Sequence, residues 1–240
     1  RRSRFPAHHR GMDALEALAA TPQLNRWYFD QLAPTLRGDV LEVGAGIGNM
    51  SALIAPACDS LCVTDMDEAH VAALEKRFAA RRNVAAIQFE LGKAMPDAIA
   101  SRTFDAIISF NVIEHVADDA AAVRSLVDRL AQGGHLLTYV PAGDWAYGTL
   151  DLHLLHYRRY DLTRFRALME GAGLEVEALR YVNMLGVAGW LVNGRVLSRV
   201  SLSARQTRIF DALVPLLRML EPDEPIFGLG LICHARKTAR

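Results

Sequence analysis

The stretch that decides the fold is Val40-Leu41-Glu42-Val43-Gly44-Ala45-Gly46-Ile47-Gly48-Asn49. A mostly apolar run leads into three glycines spaced two residues apart, which predicts a buried strand turning sharply into a helix. Glycine allows a tight turn and lets a ligand approach main-chain N–H groups without an intervening Cβ atom. The stretch therefore predicts a nucleotide-like cofactor at the carboxyl end of a first parallel strand.

The composition of the 240-residue chain narrows the classes of partner. Basic and acidic residues balance at 27 each, and no basic face with interleaved aromatic residues points to nucleic acid. The three cysteines, Cys58, Cys62 and Cys233, lie in or beside apolar runs, as is typical of reduced thiols, and no metal site is predicted. No apolar run reaches the ~18–20 residues of a membrane span, and the basic start lacks the apolar core of a signal peptide. We therefore expect a cytoplasmic protein.

Strand and helix patterns alternate along most of the chain. This alternation predicts an α/β fold, a Rossmann-like, seven-stranded and mostly parallel sheet with helices on both faces. A helix is predicted over 22–36, before the first strand, because leucine and tyrosine recur every four residues behind Thr21-Pro22. Strands are predicted over 39–43, 60–64, 84–89, 104–110, 135–140, 175–182 and 228–235.

The predicted organisation has four parts. They are a basic tail over 1–20, a cofactor-binding core over 21–182, a helical insertion over 183–226, and a last strand with a tail over 227–240. The insertion reads as two helices, the second with a kink at Pro215. The insertion is interpreted as a lid, a dimer surface, a membrane-surface contact or added core, and membrane contact is not the expected alternative. The protein is expected to be a monomer or a homodimer.

Two acidic residues bear on the identity of the cofactor. A dinucleotide motif would place its third glycine where Asn49 stands. Asp65, 21 residues after Gly44, suits the ribose hydroxyls of NAD and of S-adenosylmethionine equally. Glu42 is more informative, because a carboxylate in a buried strand needs a cationic or hydrogen-bonding partner. The α-ammonium group of an amino-acid cofactor would be such a partner.

Several motifs together carry a family resemblance. Leu41–Gly48 closely resembles the first motif of class I S-adenosylmethionine-dependent methyltransferases, and Asp65 matches the acidic residue that ends their second strand. The segment 104–115 resembles their fourth-strand motif in the branch with quinone-biosynthesis O-methyltransferases, and 130–137 resembles the turn into their fifth strand. The segments 141–160 and 183–186 look like a subgroup often found beside glycosyltransferases. The resemblance covers roughly residues 24–182 and implies S-adenosyl-L-methionine as cofactor.

The resemblance also implies roles for individual residues. Glu42 would neutralise the cofactor's amino group, Asp65 would bind its ribose, and Met66 would pack on adenine, although ordinary core packing suits Met66 equally. Many relatives have an acidic residue near the adenine after the third strand, whereas this chain has Glu90-Leu91-Gly92-Lys93. The residues predicted to bind the cofactor are Tyr28, Glu42, Gly44, Ala45, Gly46, Asn49, Asp65, Met66, Leu91, Gly92, Asn111 and Val112.

Methyl transfer from a sulfonium is an in-line displacement, and a hydroxyl acceptor must also lose a proton. Histidine titrates near neutrality and is the natural base. The predicted catalytic residues are His115, His153, His156 and Tyr147. The predicted substrate wall consists of Tyr147, His153, Tyr157, Arg158 and Trp190.

The arginine pair Arg158-Arg159 suggests an anionic acceptor, because a guanidinium pairs with carboxylate or phosphate. The alternative is an internal ion pair with Asp151 or Asp161.

Three function classes follow. The favoured one is a small-molecule methyltransferase acting on a hydroxyl or carboxylate oxygen in secondary, lipid or glycan metabolism, with carbon or nitrogen as alternative acceptors. The others are an NAD(P)-dependent oxidoreductase and a non-enzymatic cofactor-binding module.

Overall fold

The computed structural model describes residues 21–191 and 204–238. Its strands are β1 (Asp39–Val43), β2 (Ser60–Asp65), β3 (Val84–Gln88), β4 (Phe104–Phe110), β5 (Leu130–Pro141), β6 (Leu174–Val182) and β7 (Gly230–Lys237). They form a single sheet in the order β3-β2-β1-β4-β5-β7-β6. The pairs among β1 to β5 are parallel, and β7 runs antiparallel to both β5 and β6. The predicted Rossmann-like fold is confirmed.

In the described ranges one helix precedes β1, and the others follow in the segments that connect the strands. The helices are α1 (Pro22–Leu32), α2 (Ser51–Ile54), α3 (Glu68–Phe78), α4 (Asp97–Ala100), α5 (Asp119–Val127), α6 (Thr149–Leu154), α7 (Leu162–Gly171), α8 (Gly186–Leu191) and α9 (Ala204–Leu220). Three of them begin with an aspartate whose side chain accepts a backbone N–H of the first turn, a standard helix cap; these are Asp67, Asp118 and Asp161.

Apolar side chains are buried on both faces of the sheet. On one face Leu41 and Val43 of β1 join a core with Phe104 and Ile107 of β4. On the other face Val40 packs in a second core that includes Leu32 of α1. A strand covered on both sides is continuously apolar, which is why Glu42 stands out within β1.

Some elements differ in length from the prediction. The helix after the glycine stretch is only Ser51–Ile54, because turns occupy the residues before it. Strand β5 begins at Leu130 and includes the two glycines that were expected to end the preceding helix. The ammonium of Lys237 stabilises this early start by donating to the carbonyls of Val127 and Leu130, both at 2.8 Å.

The predicted insertion contains α8 and α9, and α9 continues through Pro215. Asp211 of α9 accepts the N–H groups of Gln23 and Leu24 at 3.3 and 3.0 Å, so it caps α1 from a distant part of the chain. The predicted tail over 1–20 and residues 192–203 of the insertion lie outside the described residues, and the four-part division stays a prediction. Among the helices of the described ranges, none has the length and apolar character needed to cross a membrane.

Candidate active site

The glycine stretch forms a tight loop between β1 and α2. Gly44 has φ +73°, and a Cβ built on it would overlap Cγ2 of Val112. The N–H of Ala45 donates to the carbonyl of Thr64, and the N–H of Gly46 donates to Oδ2 of Asp65, both at 2.8 Å. The loop is therefore fastened to the end of β2 in a conformation that only glycine adopts without strain.

The carboxylate of Asp65 is buried at the end of β2 and is held by three donors. Besides Gly46, the N–H of Asp67 and Nδ1 of His70 each lie 3.0 Å from Oδ1. Met66, the next residue, is 64% exposed, so it does not pack in the core and its interpretation as a core residue is wrong. Contact between Met66 and adenine stays a prediction.

Glu42 is 2% exposed, and its Oε2 atom has no hydrogen-bond partner among the described residues. Burial raises its pKa to about 7, with Asp65 adding to the rise, while Ser51 and Arg77 act in the opposite direction. A buried carboxylate oxygen with free lone pairs, next to a glycine loop, suits an ammonium group, since an unpaired buried charge is costly. The residues present thus fit the amino-acid half of S-adenosylmethionine.

Tyr28 lies in a buried aromatic group with Phe110 of β4 and Tyr139 of β5. Its ring centroid is 4.6 Å from that of Tyr139, and its hydroxyl accepts a 2.8 Å hydrogen bond from Nδ2 of Asn183. Burial raises its pKa to about 12. The carbonyl of Tyr139 also accepts the N–H of Asn111, which has φ +54°. The Tyr28 hydroxyl therefore already has partners within the chain, and its role as a cofactor ligand stays a prediction.

The remaining residues predicted to bind the cofactor occupy loops at the carboxyl ends of the strands. Asn49 is half-buried just before α2, and Val112 is half-buried against the glycine loop. After β3, Leu91 is buried, whereas Gly92 is exposed and has φ +91°. These positions lie at the edge where open α/β sheets bind ligands.

A second group of residues, the histidine cluster, consists of Glu114, His115 and His156. A 3₁₀ turn after β4 carries Glu114 and His115, and His156 follows α6. The two imidazole rings meet edge to face with centroids 4.7 Å apart. Nε2 of His115 and Nε2 of His156 lie 4.0 and 3.9 Å from Oε1 of Glu114. The structure thus joins two of the predicted bases and adds a carboxylate that the sequence analysis did not assign.

The charge states of the cluster reflect its burial. Glu114 is fully buried, neither of its carboxylate oxygens has a hydrogen-bond partner among the described residues, and burial raises its pKa to about 8. Burial and the neighbouring His156 lower the pKa of His115, which outweighs a hydrogen bond with the Leu155 backbone. His115 is therefore neutral at pH 7 and keeps a nitrogen lone pair.

Asp151 anchors the cluster from behind. Its Oδ1 lies 2.9 Å from Nδ1 of His156 and 2.8 Å from Nε of Arg159, and its Oδ2 accepts the N–H of Gly148 at 2.9 Å. Burial would raise the pKa of Asp151, but the bonds from His156 and Arg159 outweigh it and lower that pKa. An ionised Asp151 accepts the Nδ1 proton of His156, so Nε2 of His156 points away from Asp151 and toward Glu114. The predicted internal ion pair between Asp151 and one arginine is confirmed for Arg159.

The predicted substrate wall is only partly free to meet a ligand. The Tyr147 hydroxyl donates to the carbonyl of His156 at 2.7 Å, and Nε1 of Trp190 donates to the carbonyl of Ala146 at 3.2 Å. Tyr157 is 61% exposed, and His153 is half-buried on α6.

Arg158 pairs within the chain. Its Nη1 lies 2.6 Å from Oδ2 of Asp119, and its Nη2 donates to the carbonyl of Ala117 at 2.7 Å. The partner is therefore neither Asp151 nor Asp161, and that part of the prediction is wrong. The sequence could not reveal Asp119, which lies 39 residues away on α5.

Comparison with known proteins agrees with this geometry. Residues 41–136 match the family model described as a methyltransferase domain. A Mycolicibacterium smegmatis protein named "Probable S-adenosylmethionine-dependent methyltransferase" is 31% identical over 167 residues, covering 64% of this chain and 61% of its own length. A Mycobacterium tuberculosis protein of the same description is 30% identical over 159 residues, covering 57% and 56%. The chain thus spans about three-fifths of the length of these relatives.

Solved structures show the same fold. A Mesorhizobium loti S-adenosylmethionine-dependent methyltransferase superposes with a TM-score of 0.58 at 16% identity, covering 87% of this chain and 95% of its own. A Bradyrhizobium japonicum N-methyltransferase in complex with S-adenosyl-L-homocysteine gives 0.56 at 16% identity, covering 90% and 87%. The matched residues 41–136 include the glycine loop, the buried Glu42 and Asp65, so this segment is similar to a methyltransferase domain and the chain is similar to proteins named as S-adenosylmethionine-dependent methyltransferases.

Proposed function

We propose that the protein transfers the methyl group of S-adenosylmethionine to an oxygen atom of a small-molecule acceptor. The observation that carries the proposal is the pairing of two sites at one sheet edge. The glycine loop with Glu42 and Asp65 suits the cofactor, and the histidine cluster begins three residues after Asn111. Lone-pair nitrogens beside a cofactor site suit an acceptor that must be relieved of a proton.

The residues of the cofactor site have separate tasks. Glu42 accepts the α-ammonium group, the N–H groups of the loop meet the methionine half, and Asp65 accepts the ribose hydroxyls. S-adenosylmethionine supplies an electrophilic methyl on a sulfonium. An acceptor oxygen lone pair forms the new O–CH₃ bond while the S–CH₃ bond breaks, and that electron pair returns to sulfur to give S-adenosylhomocysteine.

The histidine cluster would activate the acceptor. Asp151 binds Nδ1 of His156 and leaves its Nε2 facing Glu114, and Nε2 of His115, which is neutral at pH 7, lies beside the same carboxyl group. These nitrogens can take the hydroxyl proton directly, as the sequence analysis predicts, or hold a cation that promotes its loss. Either route favours oxygen over carbon as the acceptor atom, whereas an amine remains the alternative because it must also lose a proton.

The surroundings of the cluster favour an acceptor with an apolar or aromatic part. Trp145, Leu152, Leu155 and Tyr157 expose between 44% and 62% of their area in the segment after β5. Because the Arg158 guanidinium is already paired with Asp119, it gives little support to a purely anionic acceptor. A phenol or a hydroxyl-bearing lipid-like molecule fits these features best. His153 and Tyr157 stay predicted substrate contacts.

The test combines binding and turnover. We expect S-adenosylhomocysteine to bind in calorimetry and NADH not to bind, with Asp65→Ala weakening the former by about 1–3 kcal/mol, as for a hydrogen bond to a charged group. Methyl transfer from isotope-labelled cofactor to a panel of phenols, hydroxy lipids, carboxylates and amines should favour the hydroxyl compounds. Binding of NADH alone would refute the proposal, and turnover confined to amines would replace oxygen with nitrogen.

A further inference from the structure

Direct proton transfer to the histidines leaves the buried carboxyl group of Glu114 unexplained. Its side chain is completely buried, yet both carboxylate oxygens lack a hydrogen-bond partner among the described residues. A buried carboxylate of this kind costs several kcal/mol unless a cation or a set of donors meets it. Two imidazole nitrogens, Nε2 of His115 and Nε2 of His156, lie 4.0 and 3.9 Å from its Oε1, which is beyond hydrogen-bond distance.

We propose that Glu114, His115 and His156 bind a divalent transition-metal ion that coordinates the acceptor oxygen. One ligand atom from each residue lies within 4.8 Å of the others, so the three sit around a common point. Ligand atoms about 2.0–2.2 Å from a tetrahedral metal are about 3.4 Å apart, so these separations would have to shorten by about 0.5 Å up to about 1.4 Å. The proposal rests on the proposed function, because it states how that site would activate a hydroxyl.

The surroundings of His156 match a metal ligand. Metal-bound histidines generally donate their other ring nitrogen to a carboxylate or carbonyl, which fixes the tautomer and strengthens the ligand. Asp151 takes the Nδ1 proton of His156, and Arg159 and the Gly148 N–H hold Asp151 in place. The nitrogen that faces Glu114 is therefore Nε2, which carries the lone pair in the neutral imidazole that a metal ion binds.

The ligand set favours a particular class of ion. Two imidazoles and one carboxylate suit Zn²⁺, Co²⁺ or Fe²⁺ better than Mg²⁺ or Ca²⁺, which prefer oxygen ligands alone. Three protein ligands leave at least one coordination position open. His115 is 37% exposed, while the other two ligands are buried, so the open position lies on the side reached from solvent.

The open position gives the ion a role in methyl transfer. A hydroxyl bound to a divalent ion has a lowered pKa and loses its proton to solvent more easily, as metal-bound water does. The resulting oxygen anion keeps its attacking lone pair and receives the methyl group, while the S–CH₃ electron pair stays on sulfur. The ion neither gains nor loses electrons in this step.

The experiment uses tag-free full-length protein, stripped with a chelator and titrated with Co²⁺ alone. We expect one Co²⁺ per chain with visible d–d absorption, displacement by Zn²⁺, and no displacement by Mg²⁺. Glu114→Gln and His115→Gln should each weaken Co²⁺ binding by roughly 100-fold or more, because loss of even an outer partner typically costs 10–100-fold. The matched control is His135→Gln. Nε2 of His135 lies 3.1 Å from Oε2 of Glu177, away from the histidine cluster.

The outcomes separate this inference from the proposed function. No Co²⁺ binding to the wild type, or affinity unchanged in both ligand variants, would overturn the metal site. Methyl transfer that is unaffected by removal of the metal would also overturn it, although the methyltransferase proposal would stand. If the wild-type protein did not bind S-adenosylhomocysteine, the proposed function itself would instead be refuted. Unfolding curves recorded with chelator, matching those of the wild type, confirm that each variant is folded.

Discussion

Nδ1 of His70 lies 3.0 Å from Oδ1 of Asp65, whereas the other carboxylate oxygen, Oδ2, accepts the N–H of Gly46. Two elements, the glycine loop and α3, therefore fix the orientation of a single carboxylate. His70 is buried and its contact is with the Asp65 carboxylate, so we regard it as a positioning residue for Asp65.

His70→Ala should weaken S-adenosylhomocysteine binding by about 1 kcal/mol, because the carboxylate loses one of its donors. His70→Asn should restore most of the affinity, since its Nδ2 can reach the place of the imidazole Nδ1. Calorimetric titration of both variants checks this. Equal weakening by Ala and Asn would show that the imidazole acts through packing alone.

Cofactor binding should release protons near neutral pH through Glu42. Its pKa of about 7 in the free protein is above the ordinary value, so the folded carboxyl is largely protonated at pH 6. A bound ammonium favours the ionised form and lowers that pKa, so a proton leaves on binding. Titration with S-adenosylhomocysteine at pH 6, in buffers of different ionisation enthalpy, measures the release.

The same shift has a consequence for stability. Because the folded pKa of Glu42 is raised, ionising it costs more in the folded than in the unfolded protein, and the free protein loses stability as pH rises from about 4.5 to 7. Glu42→Gln should remove that loss and abolish the proton release. Identical binding heats in every buffer for the wild type would contradict both expectations.

Gly44→Ala should reduce both the stability of the protein and its affinity for S-adenosylhomocysteine. The new Cβ would overlap Val112, and φ +73° is strained for alanine, which together cost about 1–3 kcal/mol. Gly171→Ala is the matched control, because it lies in α7 with nothing within 4 Å of the added carbon. That control should be neutral or gain up to about 1 kcal/mol in urea unfolding. Equal effects of the two changes would refute the steric argument.

Asp151→Ala should lower the free energy of unfolding by about 3–5 kcal/mol in chelator-treated protein. Arg159 would be left as a buried charge without its carboxylate partner, and both side chains are almost fully buried. Glu170 and Arg166 form an ion pair in which both side chains are about half exposed. Glu170→Ala breaks this pair and should change the free energy of unfolding by less than about 1 kcal/mol. Urea denaturation distinguishes the two, and comparable losses would argue against a buried ion pair.

Asp211→Ala should destabilise the protein by about 1–2 kcal/mol, since α1 would lose the carboxylate that accepts its first N–H groups. Asp211→Asn keeps one acceptor oxygen and should cost less. The exposed Asp223, in the loop after α9, provides a control whose change to Ala should stay within about 0.5 kcal/mol. Thermal unfolding of the three variants checks the order.

The order of the elements followed from the sequence, because short apolar runs and period-3.6 apolar patterns are set by neighbours in the chain. The glycine loop and Asp65 could be predicted for the same reason. The histidine cluster could not be assembled in this way, since Glu114 and His156 lie 42 residues apart and meet only through folding. The early start of β5 was hidden similarly, because the stabilising Lys237 comes from the other end of the domain.

The position of β7 determines when the fold can be completed during synthesis. Residues 230–237 lie between β5 and β6, with which they pair on both sides. Until they leave the ribosome, β5 is an open edge of the sheet and β6 has no strand partner. Both then expose backbone N–H and C=O groups, and such strands pair readily with other chains. A nascent chain halted before residue 230 should therefore aggregate or recruit chaperones, although all of the residues predicted to bind the cofactor, from Tyr28 to Val112, have already been made.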